Sequence, residues 1–549
     1  MTAVDLSSEY HAEAFTDEER AILERYFTEI DGPVFALVNL PEVVKGALFA
    51  RYSRSPKSVR RLFLDEFYER PEIGVEAIGE ELAASGVDRE RAEKLYQRVF
   101  TEYGDDSVAQ LGGVHLACEQ ASNLLTKVLE WGRIASYLEQ STRYIFYDQR
   151  LGTRYRYHVP PEVRATALEA EYRDTLDWAF DTYASLIDRT QDYYRALYPQ
   201  QAGDSDFVYR STIRAKACDD LRGLLPAATT SNVGIYASGQ AYEMLLLRMR
   251  AHPLAEARAY ADLMLTELRK VIPAFLRRVD MAERGGAWSR YLAETADRVR
   301  SIAERFDEPV PDRPEVTLVD WDPEGERKVA AAALYAATDL PDDRLLEIGR
   351  QLSDDEVGAV MAALVGDRSN RRHKPGRAME RTAYRFDVLC DYGIFRDLQR
   401  HRMLTLEWQR LGTRHGFVEP ASMADVGASD IWAEVMDRCA RLTARVGDAF
   451  GPDVAQYTVP FAYRVRFYMH LNAREAFHLL ELRTAQGGHA DYRRVCQLMH
   501  RQIADVAGHH RIAEAMRFVD HETYELERLE GERRAAARRA AAGIAEPEA

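Results

Sequence analysis

Apolar residues recur at three- and four-residue spacing through most of the chain, a pattern that predicts amphipathic helices. Glu18–Phe27 shows it directly after Thr16-Asp17, a capping pair. A second helix is predicted from Pro41, since the first helical turn tolerates a missing N–H. Ser55-Pro56 reads as the opening of a third. Further helices are predicted over 79–102, 114–131, 163–200, 205–222 and 254–278. Strand signals are sparse. Val316–Trp321 is one, and Tyr384, Phe386 and Val388 alternate with Arg385 and Asp387 in another. Pattern alone therefore predicts a mainly helical protein. The tail beyond 525 is rich in Glu, Arg and Ala without apolar periodicity, and reads as a fraying helix or a disordered end.

The pattern also repeats. Ala237–Arg248 ends in Leu-Arg and is followed by His252 and a helix; Asn472–Arg483 ends in Leu-Arg and is followed by His489 and a helix. A proline, Pro226 or Pro460, precedes each final arginine by a little over twenty residues. Two ordered motifs present in both halves predict an internal duplication. Between the halves, three prolines and four acids crowd residues 306–315, the composition of a linker. The predicted domains are 1–305 and 316–525, with a charged tail over 526–549.

Composition narrows the class. A chain of 549 residues is expected to form two or three domains, and 46% hydrophobic with 30% charged residues suits a soluble protein with a large core. No apolar run is long enough to span a membrane, and the N-terminus lacks a secretory pattern. The five cysteines show no CxxC spacing, which argues against structural zinc or a disulfide framework and predicts a cytoplasmic protein with no metal. A net charge of −16 argues against broad nucleic-acid binding.

The densest chemistry lies in Arg133-Ile-Ala-Ser136-Tyr-Leu-Glu139-Gln-Ser141-Thr-Arg143-Tyr144. Planar arginine forks beside short hydroxyls suit phosphate or carboxylate oxygens; polarity alone equally suits a solvated helix end. The stretch resembles the signature of the flavin-dependent thymidylate synthases, Arg-His-Arg-x-x-Ser followed by x-Asn-Glu-x-Ser-x-Arg-Tyr. Trp131, Gly132 and Leu138 depart from it. The missing front stands instead at Arg400-His401-Arg402, with Thr405 for the serine, and there the rear is broken. The helix motif Asn-x-Arg-x-x-x-His of the same family matches Asn472, Arg474 and His478. Its His-x-x-x-x-Glu-His element is matched only by Glu380.

The resemblance implies an α/β (α+β) fold, two synthase-like domains with long helices on mainly antiparallel sheets, the first having lost much of its sheet. It implies FAD as cofactor, held by Arg400, His401, Arg402, Asn472, Arg474 and His478. It places dUMP at Ser136, Glu139, Ser141 and Arg143, with Arg222 on the phosphate. Arg248 and Arg483 are implied to activate the uracil ring. Methylenetetrahydrofolate and NADPH would be the other reactants, and the product dTMP. Substrate-type residues concentrate in the first half and flavin-type residues in the second, so a homodimer of tandem chains would imitate the family's tetramer. Two alternatives stand beside this synthase: a paralogue acting on another pyrimidine nucleotide, and a non-catalytic flavin- or nucleotide-binding scaffold.

Overall fold

The computed structural model describes residues 9–68, 110, 112–306 and 308–542. It is helix-rich, with two four-stranded sheets in which every pairing is antiparallel. This is the α/β architecture expected. The first sheet contains β1 (Val34–Leu37), β2 (Gly113–Ser122), β3 (Ala135–Glu139) and β4 (Thr230–Ser238), in the order β1-β2-β4-β3. The second contains β5 (Val316–Trp321), β6 (Ala383–Asp391), β7 (Thr405–Trp408) and β8 (Arg464–Asn472), in the order β5-β6-β8-β7. Identical order in both halves is the duplication seen in three dimensions.

The first half has therefore kept its sheet, contrary to expectation. Residues 114–131 are not one helix but β2 followed by the helix Asn123–Leu129. Val114–Glu119 is buried at every position, so the strand gives no alternating signal. By contrast β6 alternates buried and half-buried residues along its whole length, as its sequence predicts. The third helix starts at Val59, capped by the Ser58 side chain on Arg61 N, rather than at Ser55-Pro56. The first helix is Asp17–Leu23, with Thr16 and Glu19 forming a capping box. The long tyrosine-rich helix spans Glu169–Leu197, and the predicted helix 254–278 is Ala255–Arg269 followed by the short turn Pro273–Leu276. The helix predicted over 79–102 lies outside the described residues. The tail forms the helix Leu529–Ala541, where Arg533 Nε donates to Asp204 Oδ1 at 2.6 Å.

The compact units are not the sequence halves. Unit 1 comprises Met1–Leu186, Leu224–Pro309 and Asp430–Pro460; unit 2 comprises Ile187–Gly223, Val310–Ser429 and Phe461–Ala549. Each half of the chain thus supplies one segment to the unit built mainly by the other. In unit 1, Ala227 N donates to Val459 O and Ala228 N to Tyr457 O, both at 2.8 Å. The Tyr457 hydroxyl donates to the fully buried Glu256 at 2.8 Å. In unit 2, the lent helix Asp206–Leu221 is anchored by Lys216 on Glu527 at 2.8 Å and by the Ser422 hydroxyl on Asp220 at 2.5 Å. Among the described residues no helix is long and apolar enough to cross a membrane, and all five cysteines are buried and free.

Candidate functional site

In unit 2 the site is built on the junction of β8 with the helix Ala473–Arg483. Asn472 caps the helix, its side-chain oxygen accepting from Glu475 N at 2.9 Å. That leaves the amide NH2 as a donor. Three turns along, Arg483 Nε donates to His401 Nε2 at 2.9 Å. An accepting Nε2 places the ring proton on Nδ1, which lies 3.3 Å from Glu475 Oε1. Burial, with Arg483 and His478 adding to it, pushes His401 well below the ordinary histidine value, so the ring is neutral. Burial pushes Glu475 up to about 7, against the lowering effect of Lys374 and Arg474. The result is a relay from Glu475 through neutral His401 to Arg483. His478 meets His401 edge to face, with 5.4 Å between ring centroids, and is exposed.

Ion pairs fix the neighbours of this relay. Arg368 grips Glu481 in a buried fork at 2.7 and 2.6 Å, and Lys374 reaches the same carboxylate at 3.3 Å. Arg474 donates to Pro375 O at 3.1 Å and lies 3.6 Å from Glu380, which gives that residue a partner the sequence motif left open. Arg400 pairs with Asp397, and the other oxygen of Asp397 lies 3.5 Å from Arg222 Nη1. Arg222 is buried and its Nη2 has no hydrogen-bond partner. It is the cation that draws down both Asp391, which burial pushes up to about 7, and Asp491, which burial also raises. Arg402 is exposed.

His401, Glu475 and His478 also bring metal-ligand atoms within 4.8 Å of one another. The expectation of no metal did not foresee that grouping. Yet a cation there would require His401 to surrender its Nδ1 proton, and Lys374 and Arg483 add positive charge beside the group. The relay satisfies the His401 and Glu475 atoms of that group by hydrogen bonding.

Unit 1 carries the counterpart junction between β4 and the helix Gly239–Arg250. Sheet register aligns Ser238, opposite Gly113, with Asn472, opposite Ala383. Gln240 and Met244 then stand where unit 2 has Arg474 and His478, and Met249 where it has Arg483. By this register Arg248, expected as the counterpart of Arg483, stands one step out of line with it. Arg248 nevertheless stacks over Trp131, 5.3 Å from the ring centroid, and its Nη2 would lie 3.5 Å from a Cβ at Gly132. Gly132 is the residue aligned with His401, so Arg248 reaches the corresponding place with no imidazole to meet it.

The first signature divides by face. Ser136 is exposed on β3, paired with Tyr236. Glu139 is buried 3.2 Å from Lys127, which also holds Glu130 at 2.7 Å. Ser141 Oγ accepts from Arg143 N at 3.2 Å, and Arg143 is buried. Ser141 and Arg143 belong to unit 1 and Arg222 to unit 2, so no single unit brings these three together. Sequence reasoning missed Glu475, Asp397 and Lys127. Only Glu475 carried a signal: an acid three residues past a cap, followed by an apolar run.

Comparison with known proteins places these junctions in context. The family model described as thymidylate synthase complementing protein matches residues 55–274 and again 317–508, one match per half. A UPF0159 protein of Chlamydia pneumoniae is 38% identical over 526 residues, covering 95% of this chain and 98% of the relative. A UPF0159 protein of Thermoplasma acidophilum is 31% identical over 517 residues, 89% of this chain and 97% of that one. A flavin-dependent thymidylate synthase of Clostridium tetani is 28% identical over 207 residues, 37% of this chain and 74% of that protein.

Proposed function

This chain belongs to the thymidylate synthase complementing protein family, and on that premise we propose that it is a flavin-dependent thymidylate synthase, methylating dUMP to dTMP with FAD, methylenetetrahydrofolate and NADPH. The observation that carries the reading is the Glu475–His401–Arg483 relay, set between residues of flavin type. The donor set fits an anionic, planar cofactor: Arg400, Arg402 and Arg474 supply guanidiniums at the edge of the site, Asn472 a free NH2, and His478 an exposed ring. Bound FAD would supply the reducing equivalents and mediate methylene transfer.

The residues of the chain do the rest. Neutral His401 occupies Arg483 Nε, which leaves the two Nη groups to polarise a uracil carbonyl and stabilise charge that develops on the ring. Glu475 holds the His401 tautomer that makes this possible. Arg222, with an unused Nη2, and Arg143 with Ser141 are suited to phosphate oxygens. A homodimer remains part of the proposal, and a stable flavin-loaded monomer in light scattering would exclude it.

The test is direct. Purified protein should show a flavin absorbance band, retained by wild type and lost in His401→Ala with Arg474→Ala. Loaded protein should release tritium from dUMP labelled at C5 when given methylenetetrahydrofolate and NADPH. A flavin band without turnover on dUMP would favour the paralogue acting on another pyrimidine nucleotide. The observation behind that second reading is Gly132 at the place of His401 in unit 1. Failure to bind FAD at high concentration would defeat both.

A further inference from the structure

Unit 1 holds two adjoining cavities, of about 250 and 330 Å³, that share Tyr10, His11, Gln120, Leu151, Arg156 and Thr230. None of these residues belongs to the sites described above. The cavities sit against a β-bulge. Strand β2 pairs with β4 on either side of an irregularity between Cys118 and Ala121, and Gln120 in that gap adopts φ +54°. This backbone is costly for a residue with a side chain and marks sites of function. The duplicated strand β6 runs through all its pairings with β8 without a shift, so the sheet can form without the bulge.

The bulge aims Gln120 at the N-terminal segment. Its Nε2 donates to His11 O at 3.0 Å, its Oε1 accepts from His11 N at 3.1 Å, and its own N–H donates to Asn232 Oδ1 at 2.8 Å. The segment is thereby clipped along the cavities.

Charge around them is unequal in its pairing. Glu9 faces Arg154, Arg164 and Arg173; Glu13 faces Arg61; Glu119 is held by Arg60 and two tyrosine hydroxyls. Lys57 has Asp65, and Arg150 has Asp181. Among the described residues the Arg156 side chain makes no ion pair and donates one hydrogen bond, to Pro56 O at 3.5 Å, while its backbone oxygen accepts from Thr230 N at 2.8 Å. Burial holds it below the ordinary arginine value. Asp148 acts on it only through space, without an ion pair. A guanidinium fork that lines both cavities in this state is matched to an oxyanion.

We propose that unit 1 binds a phosphate group in this double cavity, with the Arg156 fork on its oxygens and the clipped Tyr10–His11 segment as one wall. The phosphate comes either free or on a small ester whose body fills the tyrosine-lined half, where Tyr155 and Tyr157 stand.

Equilibrium dialysis of the full chain with inorganic phosphate and with ribose 5-phosphate tests this. Wild type should bind saturably. Arg156→Gln should weaken binding at least tenfold and Arg156→Lys less. Tighter binding of the ester identifies an ester as the ligand; equal binding identifies the free anion. Absence of saturable binding, or equal affinity in Arg156→Gln and wild type, overturns the proposal. Should both Arg156 variants misfold, wild-type crystals soaked in tungstate decide: density beside Arg156 supports the site, and density only elsewhere overturns it.

Discussion

Single residues here carry unusual electrostatic loads. Burial pushes Glu475 up to about 7 in the folded protein, against about 4.3 for an unfolded glutamate. The folded state therefore holds more protons than the unfolded state between those values. The stability this group contributes is present in full below about pH 4 and is lost as pH rises through 7. Glu475→Gln should flatten that part of the stability profile by up to one proton's slope, read from urea unfolding at a series of pH values. An unchanged slope would show that Glu475 does not titrate there. Burial also pushes Asp391 up to about 7 and Asp220 up to about 6, which adds slope of the same sign, so the profile of the variant should not become flat. In unit 1 the fully buried Arg60 has Glu119 at 3.1 Å as its countercharge. Glu119→Leu should cost about 3–5 kcal/mol, because it strands the guanidinium. Adding Arg60→Met should recover much of the loss in the same urea titration.

At the scale of elements, two glycines make opposite predictions. A Cβ on Gly285 would stand 2.1 Å from the backbone oxygen of Val279, which cannot swing aside. Gly285→Ala should therefore lose about 1–3 kcal/mol. Gly46, inside the helix Glu42–Tyr52, would meet nothing within 4 Å, and Gly46→Ala should gain about 0.5–1 kcal/mol. Calorimetric melting of the two variants should move in opposite directions. Elements are legible in the sequence where one face is less buried than the other: β6 alternates as a strand should, while β2, its duplicate, is buried through Val114–Glu119 and its sequence imitates a helix. The junction helix and its Asn472 cap were legible from spacing. The relay was not, because an acid near a helix start ordinarily serves the helix dipole. Only the fold shows that Glu475 is buried against a histidine 74 residues away.

For the whole molecule, the exchanged segments decide how the chain can be divided. A protease site placed at 306–315 should yield two fragments that co-elute in size exclusion and part only in denaturant, since each unit draws on both. Separate elution under native conditions would show that the halves fold alone. The same exchange governs how the protein is made. On the ribosome, unit 1 cannot complete itself when residue 309 emerges, because it awaits Asp430–Pro460. At ~5–20 residues per second that wait lasts on the order of 8–30 s. Meanwhile Ile187–Gly223 has no unit 2 to join. The nascent chain thus carries exposed apolar helices through much of its synthesis, and translation speed and chaperone supply should limit the yield of native protein more than its final stability does.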